Sequence, residues 1–472
     1  MSTGVKLGHA PQARVAVVGG GLAGLAASCA LSDAGYRVAL FERRPYLGGR
    51  ASSYEHPGTG EIVDNCQHVL LGCCTNLLDF YNRLGVADKI RWYDRLTFIM
   101  PGGKQGTIQP SKLPAPLHSS PAFLRFPLLS LADKIRIARA MLALMKGVPQ
   151  DEGDFLSWLR RHGQSQRVID RFWAPVLISS LNEDLDKVSV RYGAMVFRDG
   201  FLKSAAAGRM GVPTIPLSDL YGVAAEYITA RGGEVNLRCS VEDVQTAERS
   251  VSLRTGSDRL DFDYLVSAVP FHALARLLPA DDAASQITQD ANRLETAPIT
   301  GIHLWFDKEI TPLEHAVLLD RTIQWMFQKS KIQDRARGGP LGAGSYLELV
   351  VSASKSLVQM PRPQVIELAM RELAEFFPSV KEARLLKATI VKEVHATFAP
   401  APGSDPYRLK PGSPWPRVFL SGDWTDTGWP ATMEGAVRAG YLSAQALTAA
   451  HGQSQQFLVP DLPPQGLMKL FP

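Results

Sequence analysis

The feature that most restricts the fold of this chain is a glycine-rich turn near its N-terminal end. A short apolar run, RVAVVGG (14–20), precedes the turn, and GLAGLAASCALSDAG (21–35) follows it. The Val-rich run predicts a buried parallel strand, and small residues such as Gly24 predict a helix that lies close to a sheet. The sequence YRVALFERR (36–44) predicts a second strand. Together these residues predict a βαβ unit, and with it an α/β fold.

The turn itself has the spacing G-x-G-x-x-G, which is typical of dinucleotide-binding proteins. Gly19 allows the tight turn, Gly21 lets the backbone approach a pyrophosphate, and Gly24 lets the helix pack on the strand. The N-terminus of the helix offers free N–H groups to the phosphate, those of Leu22 and Ala23 among them.

Glu42 stands at the end of the second predicted strand. An acid about twenty residues past the glycines is suited to bind the hydroxyl pair of a ribose. We include its neighbour Arg43 among the expected cofactor-binding residues. A solvated acid at a strand end is the alternative, but the glycine pattern favours the ribose interpretation. The unit therefore predicts a dinucleotide site.

Composition and charge exclude several classes of protein. The 472 residues are 45% hydrophobic and 21% charged, as in globular proteins of several domains. The net charge of +5 comes without a block of five or six like charges, so we expect no nucleic-acid partner. The first residues lack the apolar core of a secretory signal, and no apolar run approaches the length that spans a bilayer. Five cysteines, an odd number, indicate free thiols in a reducing compartment, and we expect a cytoplasmic protein.

The rest of the chain alternates between helical and strand-like segments. Residues 77–208 read as mostly helical, broken by a Pro-rich stretch at 110–127, and residues 232–270 read as several short strands. Further strands are predicted at 301–307, 323–328, 346–353, 386–398 and 417–424, and a helix at 432–450.

Two further motifs identify the dinucleotide by resemblance. LGGRASSY (47–54) and FLSGDWTDTGWPATMEGAVRAG (419–440) resemble the glycine-arginine motif and the closing motif of the flavin amine oxidase and carotenoid desaturase superfamily. A surface Gly-Gly turn is the alternative for the first motif, and its position makes that alternative weaker. The resemblance implies non-covalently bound FAD.

The same resemblance assigns residues to parts of FAD. Gly49 and Arg50 would face the pyrophosphate or the flavin, and Asp423 would hold ribityl or pyrophosphate atoms. Backbone at Thr432 and Met433, where a helix begins, would meet the flavin ring, since a helix N-terminus stabilises negative charge on reduced flavin. Val241 in CSVEDV (239–244) would contact adenine, with an ordinary core valine as the alternative.

A closer resemblance covers the chain from Arg14 to about Ala450. The segments LPAPLHSSPAFLRFPLLSLADK (113–134) and FWAPVLISSLNEDLDKVS (172–189), together with DNCQHVLLGCC (64–74), resemble those of hydroxysqualene dehydroxylases of hopanoid biosynthesis. The resemblance implies a Rossmann-like FAD-binding domain with an inserted α+β substrate-binding domain. The expected FAD-binding segments are 1–75, 209–298 and 413–452, the substrate segments are 76–208 and 299–412, and 453–472 is a C-terminal tail.

Membership of that family would imply reductive removal of a hydroxyl group. Hydroxysqualene, a long isoprenoid, would lose its allylic hydroxyl as water, and hydride from reduced flavin would replace it. No second dinucleotide-binding unit is evident in the sequence, so the electron donor would be external. Carotenoid or phytoene desaturation and amine oxidation on the same scaffold are the rival reactions. A prenyl-binding escort without catalysis is the rival from another class.

The segment VDNCQHVLLGCC (63–74) holds three of the five cysteines. We expect no metal site, because the spacing lacks paired C-x-x-C geometry. Cys73 and Cys74 are instead expected to be buried thiols at the start of a helix.

The superfamily resemblance places the turn before those two cysteines, with Gln67 and His68, beside the flavin. His68 would either give the proton to the leaving hydroxyl or hold the cofactor, and Asp64 would support His68 or cap the turn. One departure from the family pattern is Cys66, where the resemblance leads us to expect glycine.

Two segments suggest contact with a membrane. The helix predicted at 128–147 carries an apolar stripe, with Lys134, Arg136 and Arg139 elsewhere on it, and the tail 457–472 ends in GLMKLFP. Packing of the helix on its own domain is the alternative. We expect the protein to be peripheral on the inner face of the cell membrane.

Overall fold

The structure is a computed structural model that describes residues 12–56, 60–149, 153–279, 281–333 and 344–471. The first eleven residues of the predicted FAD-binding segment 1–75 thus lie outside the described residues.

The strands are β1 (Arg14–Val18), β2 (Arg37–Glu42), β3 (Ser53–Glu55), β4 (Ile62–Asp64), β5 (Leu70–Leu71), β6 (Ile90–Tyr93), β7 (Leu96–Ile99), β8 (Gln105–Ile108), β9 (Met210–Pro213), β10 (Glu234–Leu237), β11 (Asp243–Thr246), β12 (Val251–Thr255), β13 (Asp258–Phe262), β14 (Tyr264–Ser267), β15 (Thr296–Phe306), β16 (His315–Leu318), β17 (Trp325–Gln328), β18 (Ser345–Ser352), β19 (Leu385–Phe398) and β20 (Val418–Leu420).

The helices range from single turns to eighteen residues. They are α1 (Leu22–Asp33), α2 (Thr75–Leu84), α3 (Ser120–Arg125), α4 (Leu131–Met145), α5 (Phe155–Arg161), α6 (Gln166–Val168), α7 (Ala174–Leu181), α8 (Val190–Phe197), α9 (Leu217–Thr229), α10 (Phe271–Leu274), α11 (Asp282–Ala291), α12 (Lys329–Ile332), α13 (Lys355–Val358), α14 (Arg362–Phe376) and α15 (Met433–Ala450). Two π-helical segments, Ile169–Trp173 and Arg198–Leu202, follow α6 and α8. Among the described helices, none is long and apolar enough to cross a membrane.

A five-stranded sheet confirms the α/β fold predicted from the glycine-rich turn. Its order is β10-β2-β1-β14-β20, and every neighbouring pair is parallel. The predicted unit of strand, helix and strand corresponds to β1, α1 and β2. The strands β1 and β2 are buried except at their first residues, which explains why they read as apolar runs.

The N-terminal helix α1 is wedged between this sheet and the C-terminal helix α15. Small residues make the close approach of the two helices feasible. A Cβ atom at Gly440 would lie 2.3 Å from the carbonyl oxygen of Ala23 and 2.8 Å from the Cβ of Ala26. The glycine-rich motif near the start of the chain and the closing motif 419–440 are therefore in direct contact, although more than 400 residues separate Ala23 from Gly440.

A seven-stranded sheet forms the second layer of the molecule. Its order is β19-β15-β18-β17-β16-β7-β8, and its pairs are antiparallel except for β16 with β7. One face packs on α14 through a core of Leu, Ile, Val and Phe side chains. Residues of the opposite face, such as Val317, Trp325 and Val350, line a cavity. Its other side is formed by α7, α8 and the π-helical residues Arg198–Leu202, which we call the helical segment.

Two sequence-based expectations about the region 77–208 need correction. The strands β6, β7 and β8 interrupt it, so it is not mostly helical before residue 110. Each of these strands has four residues, too few to establish an alternating pattern in the sequence. The Pro-rich stretch 110–127 contains the short helix α3 as well as loops.

The predicted domain boundaries remain predictions. The strands of each sheet can nevertheless be compared with the predicted segments. The parallel sheet takes its strands from the predicted FAD-binding segments. The seven-stranded sheet takes its strands from the predicted substrate segments, except that β15 begins three residues before the boundary at 299. A small sheet, β5-β9-β6, joins strands from both parts.

The packing of α1 on α15 generates a test of stability. Gly440→Ala pushes a methyl group against backbone atoms of α1, so we expect the free energy of unfolding to fall by about 1–3 kcal/mol. Gly222→Ala in α9 is the matched control, because a Cβ there meets no atom within 4 Å. The control variant should gain about 0.5–1 kcal/mol. Denaturant unfolding of both variants measures the difference, and equal stabilities would contradict the packing described.

Candidate functional site

One cavity of about 820 Å³ runs from the glycine-rich turn to the space between the seven-stranded sheet and the helical segment. Its two ends differ in chemistry. The end at the parallel sheet is lined by glycines and by charged side chains such as Glu42, Arg43, Arg50 and Asp423. The other end is mostly apolar and is lined by Leu96, Phe98, Val176, Met195, Val196, Phe201, Met210, Ile299, Val317, Trp325, Phe327 and Val350.

Nearly all residues proposed from the sequence line this cavity. These are Gly19, Gly21, Leu22, Ala23, Glu42, Arg43, Gly49, Arg50, Gln67, His68, Val241, Asp423, Thr432 and Met433. Their individual contacts with FAD remain predictions. Gly24 is not a lining residue, in keeping with its predicted packing role: a Cβ there would lie 1.9 Å from the carbonyl oxygen of Gly19.

Glu42 fixes the glycine-rich turn from the next strand. Its Oε2 accepts a hydrogen bond of 2.7 Å from the backbone N–H of Gly20, and its Oε1 accepts one of 2.8 Å from the N–H of Arg44. The carboxylate still lines the cavity. Glu42 therefore shapes the turn and keeps acceptor capacity for a ribose, because each carboxylate oxygen has two lone pairs.

Arg50 and Asp423 form an ion pair with 2.6 Å between Nη2 and Oδ1. Arg50 also donates a hydrogen bond of 2.7 Å from Nη1 to the carbonyl oxygen of Ala396, in β19. The ion pair joins the two motifs that resemble flavin enzymes, and the bond to Ala396 ties them to the second sheet. Both side chains line the cavity, so a ligand there meets a pair of charges that is already oriented.

The N-terminus of α15 lies at the same end of the cavity as Arg50 and Asp423. Thr432 is the N-cap, and its Oγ1 accepts a hydrogen bond of 3.0 Å from the N–H of Gly435. Thr432 and Met433 line the cavity, so the positive end of a long helix faces the ligand space.

The backbone around the glycines fits a dinucleotide. Gly21 and Gly49 lie side by side on the cavity wall, and a Cβ at Gly49 would lie 2.9 Å from the Cα of Gly21. Gly49 also has a φ of +62°, which L side chains rarely adopt. Because neither Gly21 nor Gly49 has a side chain, the cavity has room for a pyrophosphate next to the first turn of α1.

The turn that carries His68 runs along the middle of the cavity. His68 Nδ1 donates a hydrogen bond of 2.7 Å to the carbonyl oxygen of Cys66. Burial lowers the pKa of His68 below its ordinary value, partly offset by that bond. In the resting protein at neutral pH the imidazole is therefore neutral, and its Nε2 is an acceptor.

Asp64 does not have the role predicted for it. Among the described residues, Asp64 is not part of the cavity wall, and it makes no hydrogen bond to His68 or to the backbone of the turn. Its Oδ2 accepts hydrogen bonds of 2.6 Å from Lys329 Nζ and 2.9 Å from Gln333 Nε2, and its Oδ1 accepts one of 3.2 Å from the N–H of Leu217. The carboxylate of Asp64 therefore binds Lys329, a buried lysine that the sequence analysis does not identify.

Lys329 is one of two buried residues next to the site that the sequence analysis missed. Its side chain is 1% exposed, and it donates to Asp64 and, over 2.7 Å, to Oε1 of Gln67. Gln67 in turn donates from Nε2 to the carbonyl oxygen of His68, over 3.0 Å. One ammonium group therefore holds the turn from both ends. The sequence signal was weak, because Lys329 reads as a solvated residue at the end of the apolar strand β17.

Glu348 completes this buried cluster without a hydrogen bond of its own. Its Oε2 lies 3.3 Å from Lys329 Nζ, yet neither carboxylate oxygen has a hydrogen-bond partner among the described residues. Burial raises the pKa of Glu348 to about 7, although the charge of Lys329 opposes the rise. Burial also opposes ionisation of Asp64, but Lys329 outweighs it and holds the pKa of Asp64 below its ordinary value.

Cys66, which replaces the expected glycine, fits the turn without strain. Its backbone lies outside the left-handed region, so the turn does not require glycine there. The thiol packs among Met210, Phe327 and Val350, and burial raises its pKa well above the ordinary value. Cys66 is thus an inert packing residue beside the cavity.

The other two cysteines of the segment behave as predicted. Cys73 and Cys74 are buried free thiols, and Cys74 is the N-cap of α2. Within the described residues, no group of three or more His, Cys, Asp or Glu side chains has the arrangement of a metal site.

The buried cluster generates a test of stability. Lys329→Met leaves two carboxylates buried without a cation, so we expect the free energy of unfolding at pH 8 to fall by about 3–5 kcal/mol. The loss should shrink as the pH falls from 8 to 6. Lys329 lowers the pKa of Glu348, so its removal raises that pKa above the value of about 7 in the unsubstituted protein. The folded variant therefore binds more protons between pH 8 and 6 than the unsubstituted protein does, and it regains stability as the pH falls.

Lys331→Met is the matched control for this variant, because Lys331 pairs with Glu309 at the surface. We expect the control to lose less than about 1 kcal/mol, independent of pH between 6 and 8. Thermal or denaturant unfolding at the two pH values provides the measurement. A Lys329→Met protein as stable as the control would show that the cluster does not hold the turn.

The comparison with known proteins agrees with this geometry. The sequence model of the family "flavin containing amine oxidoreductase" matches residues 22–448. Among curated proteins, 15-cis-phytoene desaturase of Synechococcus elongatus is 28% identical over 466 residues, covering 94% of this chain and 97% of that protein. Zeta-carotene desaturase of Zea mays is 27% identical, covering 91% and 82%.

Solved structures share the fold at lower sequence identity. An oxidoreductase from Methanosarcina mazei superposes with a TM-score of 0.70 at 18% identity, over 90% of this chain and 98% of that one. Cyclohexylamine oxidase from Brevibacterium oxydans superposes with a TM-score of 0.65 at 17% identity, over 94% and 99%. From the family match, the glycine cradle and the apolar cavity, we conclude that this chain belongs to the flavin containing amine oxidoreductase family and is an FAD-dependent oxidoreductase.

Proposed function

We propose that this enzyme removes the hydroxyl group of hydroxysqualene reductively, giving squalene and water, in squalene and hopanoid biosynthesis. The observation that carries the proposal is the division of the cavity. A mostly apolar space begins at the turn with His68 and extends between the helical segment and the second sheet. The resemblance of residues 113–134 and 172–189 to hydroxysqualene dehydroxylases supports the same conclusion.

The proposed reaction requires one proton and one hydride. The proton joins the allylic hydroxyl, which leaves as water, and a hydride takes its place on carbon. Reduced FAD, bound at the glycine-rich end, supplies that hydride. The protein has to bind the chain, exclude water from the carbon that loses oxygen, and hold the hydroxyl where it is protonated. An external electron donor has to reduce the cofactor again after each turnover.

The apolar wall provides the binding and the exclusion of water. Trp325 and Phe327 stack with ring centroids 5.5 Å apart, and Trp325 donates from Nε1 to Ser179 Oγ over 2.6 Å. Ser179 itself donates to the carbonyl oxygen of Pro175. Asp199, also on the wall, pairs with Lys203 over 2.5 Å. Because these polar groups are already paired, the wall offers a polyisoprenoid mainly apolar contact.

His68 is the group that we assign to the hydroxyl. Its Nδ1 is engaged with Cys66, and its Nε2 has no hydrogen-bond partner among the described residues. Since the neutral form dominates at neutral pH, His68 first accepts a hydrogen bond from the substrate, and it donates a proton only in its protonated form.

The role of His68 is tested by substitution and by pH. We expect His68→Ala to bind FAD normally and to lose about 10²–10⁴-fold in turnover. In the unsubstituted enzyme, turnover should rise as the pH falls toward the lowered pKa of His68, because the protonated form becomes more abundant. Turnover and flavin absorbance are measured on both proteins. Near-normal turnover of His68→Ala would exclude His68 as the acid, and loss of bound flavin would leave it a positioning residue.

Desaturation of a carotenoid precursor is the second candidate function. The similarity to 15-cis-phytoene desaturase and zeta-carotene desaturase over more than 90% of this chain favours it. An apolar cavity of this kind suits a phytoene chain as well. Desaturation would move hydride in the opposite direction, from the substrate to oxidised FAD, and it requires no leaving hydroxyl. A prenyl-binding escort is less well supported, since the chain belongs to an oxidoreductase family.

Product analysis separates the two reactions. The purified FAD-loaded enzyme is incubated anaerobically with hydroxysqualene and a chemical reductant, and separately with phytoene and an oxidant. We expect squalene in the first assay and no desaturated product in the second. Desaturated phytoene with unchanged hydroxysqualene would overturn the proposal in favour of the second candidate.

A further inference from the structure

We propose that the enzyme docks on an anionic phospholipid bilayer through one apolar surface made of α4, the loop 113–124 and the segment 465–471. We call these three segments the docking surface. The proposal rests on the proposed function for one point, that the substrate is a polyisoprenoid dissolved in the bilayer. The binding of lipid itself is argued from the surface alone.

Helix α4 has two apolar faces. Ile137, Ala140 and Leu144 face the core. The opposite face carries Leu131 and Leu142, which are 69% and 57% exposed, together with exposed Ile135 and Ala138. The spacing of these exposed residues by four, three and four positions puts them on one stripe. Packing of the helix on its own domain therefore accounts for one face only.

The segment 465–471 shares a core cluster with the inner face of α4 and is held firmly. Met468 is fully buried in the core that also contains the inner face of α4. Gly466 packs so closely that a Cβ would lie 2.7 Å from backbone atoms of Ala115. Leu467 and Leu470 remain exposed, Leu470 to 74%. The buried methionine anchors the segment, and the two leucines point away from the core.

The segment 113–124, a loop that leads into the short helix α3, joins the other two segments. The N–H of Leu467 donates to the carbonyl oxygen of Ala115 over 2.8 Å, and Lys134 of α4 donates to the carbonyl oxygen of Leu124 over 2.6 Å. Leu113, Leu117 and Leu124 are exposed. In all, eight of the thirteen exposed large apolar side chains among the described residues belong to these three segments. Such a concentration indicates an interaction site, because scattered exposure is the normal case.

The charge around the docking surface selects a bilayer with anionic headgroups. The only acid in residues 112–147, Asp133, is buried and pairs with Arg167. The basic residues of the three segments and their flanks are Lys112, Arg125, Lys134, Arg136, Arg139, Lys146 and Lys469. Apolar side chains flanked by lysine and arginine match the boundary between acyl chains and anionic headgroups. A second copy of the chain would bring the same positive charge to this surface, which disfavours self-association.

The docking surface lies directly behind the wall of the cavity. Gly200 and Phe201, in the π-helical segment Arg198–Leu202, line the cavity. Arg198 of that segment donates to the carbonyl oxygens of Met145 and Phe471, over 2.8 and 2.9 Å. The N–H of Gln465 donates to the carbonyl oxygen of Lys203. A substrate in the bilayer is therefore separated from the apolar cavity by α4 and the segment 465–471 and by the π-helical segment that they contact.

Vesicle binding tests the docking surface with the full-length, FAD-loaded protein. The protein is sedimented with vesicles of phosphatidylcholine alone and of phosphatidylcholine with phosphatidylglycerol. We expect binding to the anionic vesicles, and a decrease of at least about tenfold in the partition coefficient for the variant Leu131→Gln, Ile135→Gln, Leu142→Gln. The control variant Leu237→Gln, Leu386→Gln changes exposed leucines elsewhere and should bind as the unsubstituted protein does.

Flavin absorbance and thermal unfolding of each variant establish that it is folded, since the substituted side chains are exposed. Failure of the unsubstituted protein to bind anionic vesicles would overturn the proposal, as would equal binding by the variant with substitutions in α4. A dimer in light scattering that this variant abolishes, without vesicle binding, would assign the surface to a second copy. None of these results depends on the reaction catalysed, so they leave the proposed function to its own product analysis.

Discussion

The ammonium group of Lys329 connects the two halves of the molecule at the point where the cavity changes character. It lies at the start of α12, after a strand of the seven-stranded sheet, and it binds Asp64 at the end of β4 and Gln67 in the turn. A buried cation with two carboxylates near it is stable only while all three groups stay in place. The position of His68 along the cavity depends on this arrangement, because Gln67 binds both Lys329 and the carbonyl oxygen of His68.

The sequence was sufficient for the parts of the fold that repeat a local pattern. The βαβ unit, the long strands β15 and β19 and the helix α15 follow from apolar periodicity and glycine spacing. The strands β6 to β8 could not be predicted in this way, because four residues are too few to show an alternation of apolar and polar side chains. At the cavity, the positions of Gly19, Gly21 and Glu42 on the wall could be predicted because their spacing is local. Lys329 and Glu348 were missed because Lys329 contacts Asp64, more than 260 residues away in the chain, and Glu348 lies beside Lys329.

The two ends of the cavity differ in chemistry, and the proposed docking surface adjoins only the apolar end. Backbone of the glycine-rich turn and the ion pair of Arg50 with Asp423 line one end of the cavity. The helical segment and the second sheet line the other end with mostly apolar side chains. Arg198 fixes the outer wall of this space to α4 and to the segment 465–471, so the substrate end of the cavity lies closest to the proposed membrane.

The central claim is that an allylic hydroxyl is replaced by hydride at this site, and a single-turnover experiment tests it most directly. The FAD-loaded enzyme is reduced anaerobically, freed of excess reductant and mixed with one equivalent of hydroxysqualene. The account predicts that the absorbance of oxidised flavin returns and that squalene forms in equal amount. Flavin that stays reduced in the presence of hydroxysqualene, while oxidised enzyme is bleached by phytoene, would contradict the account.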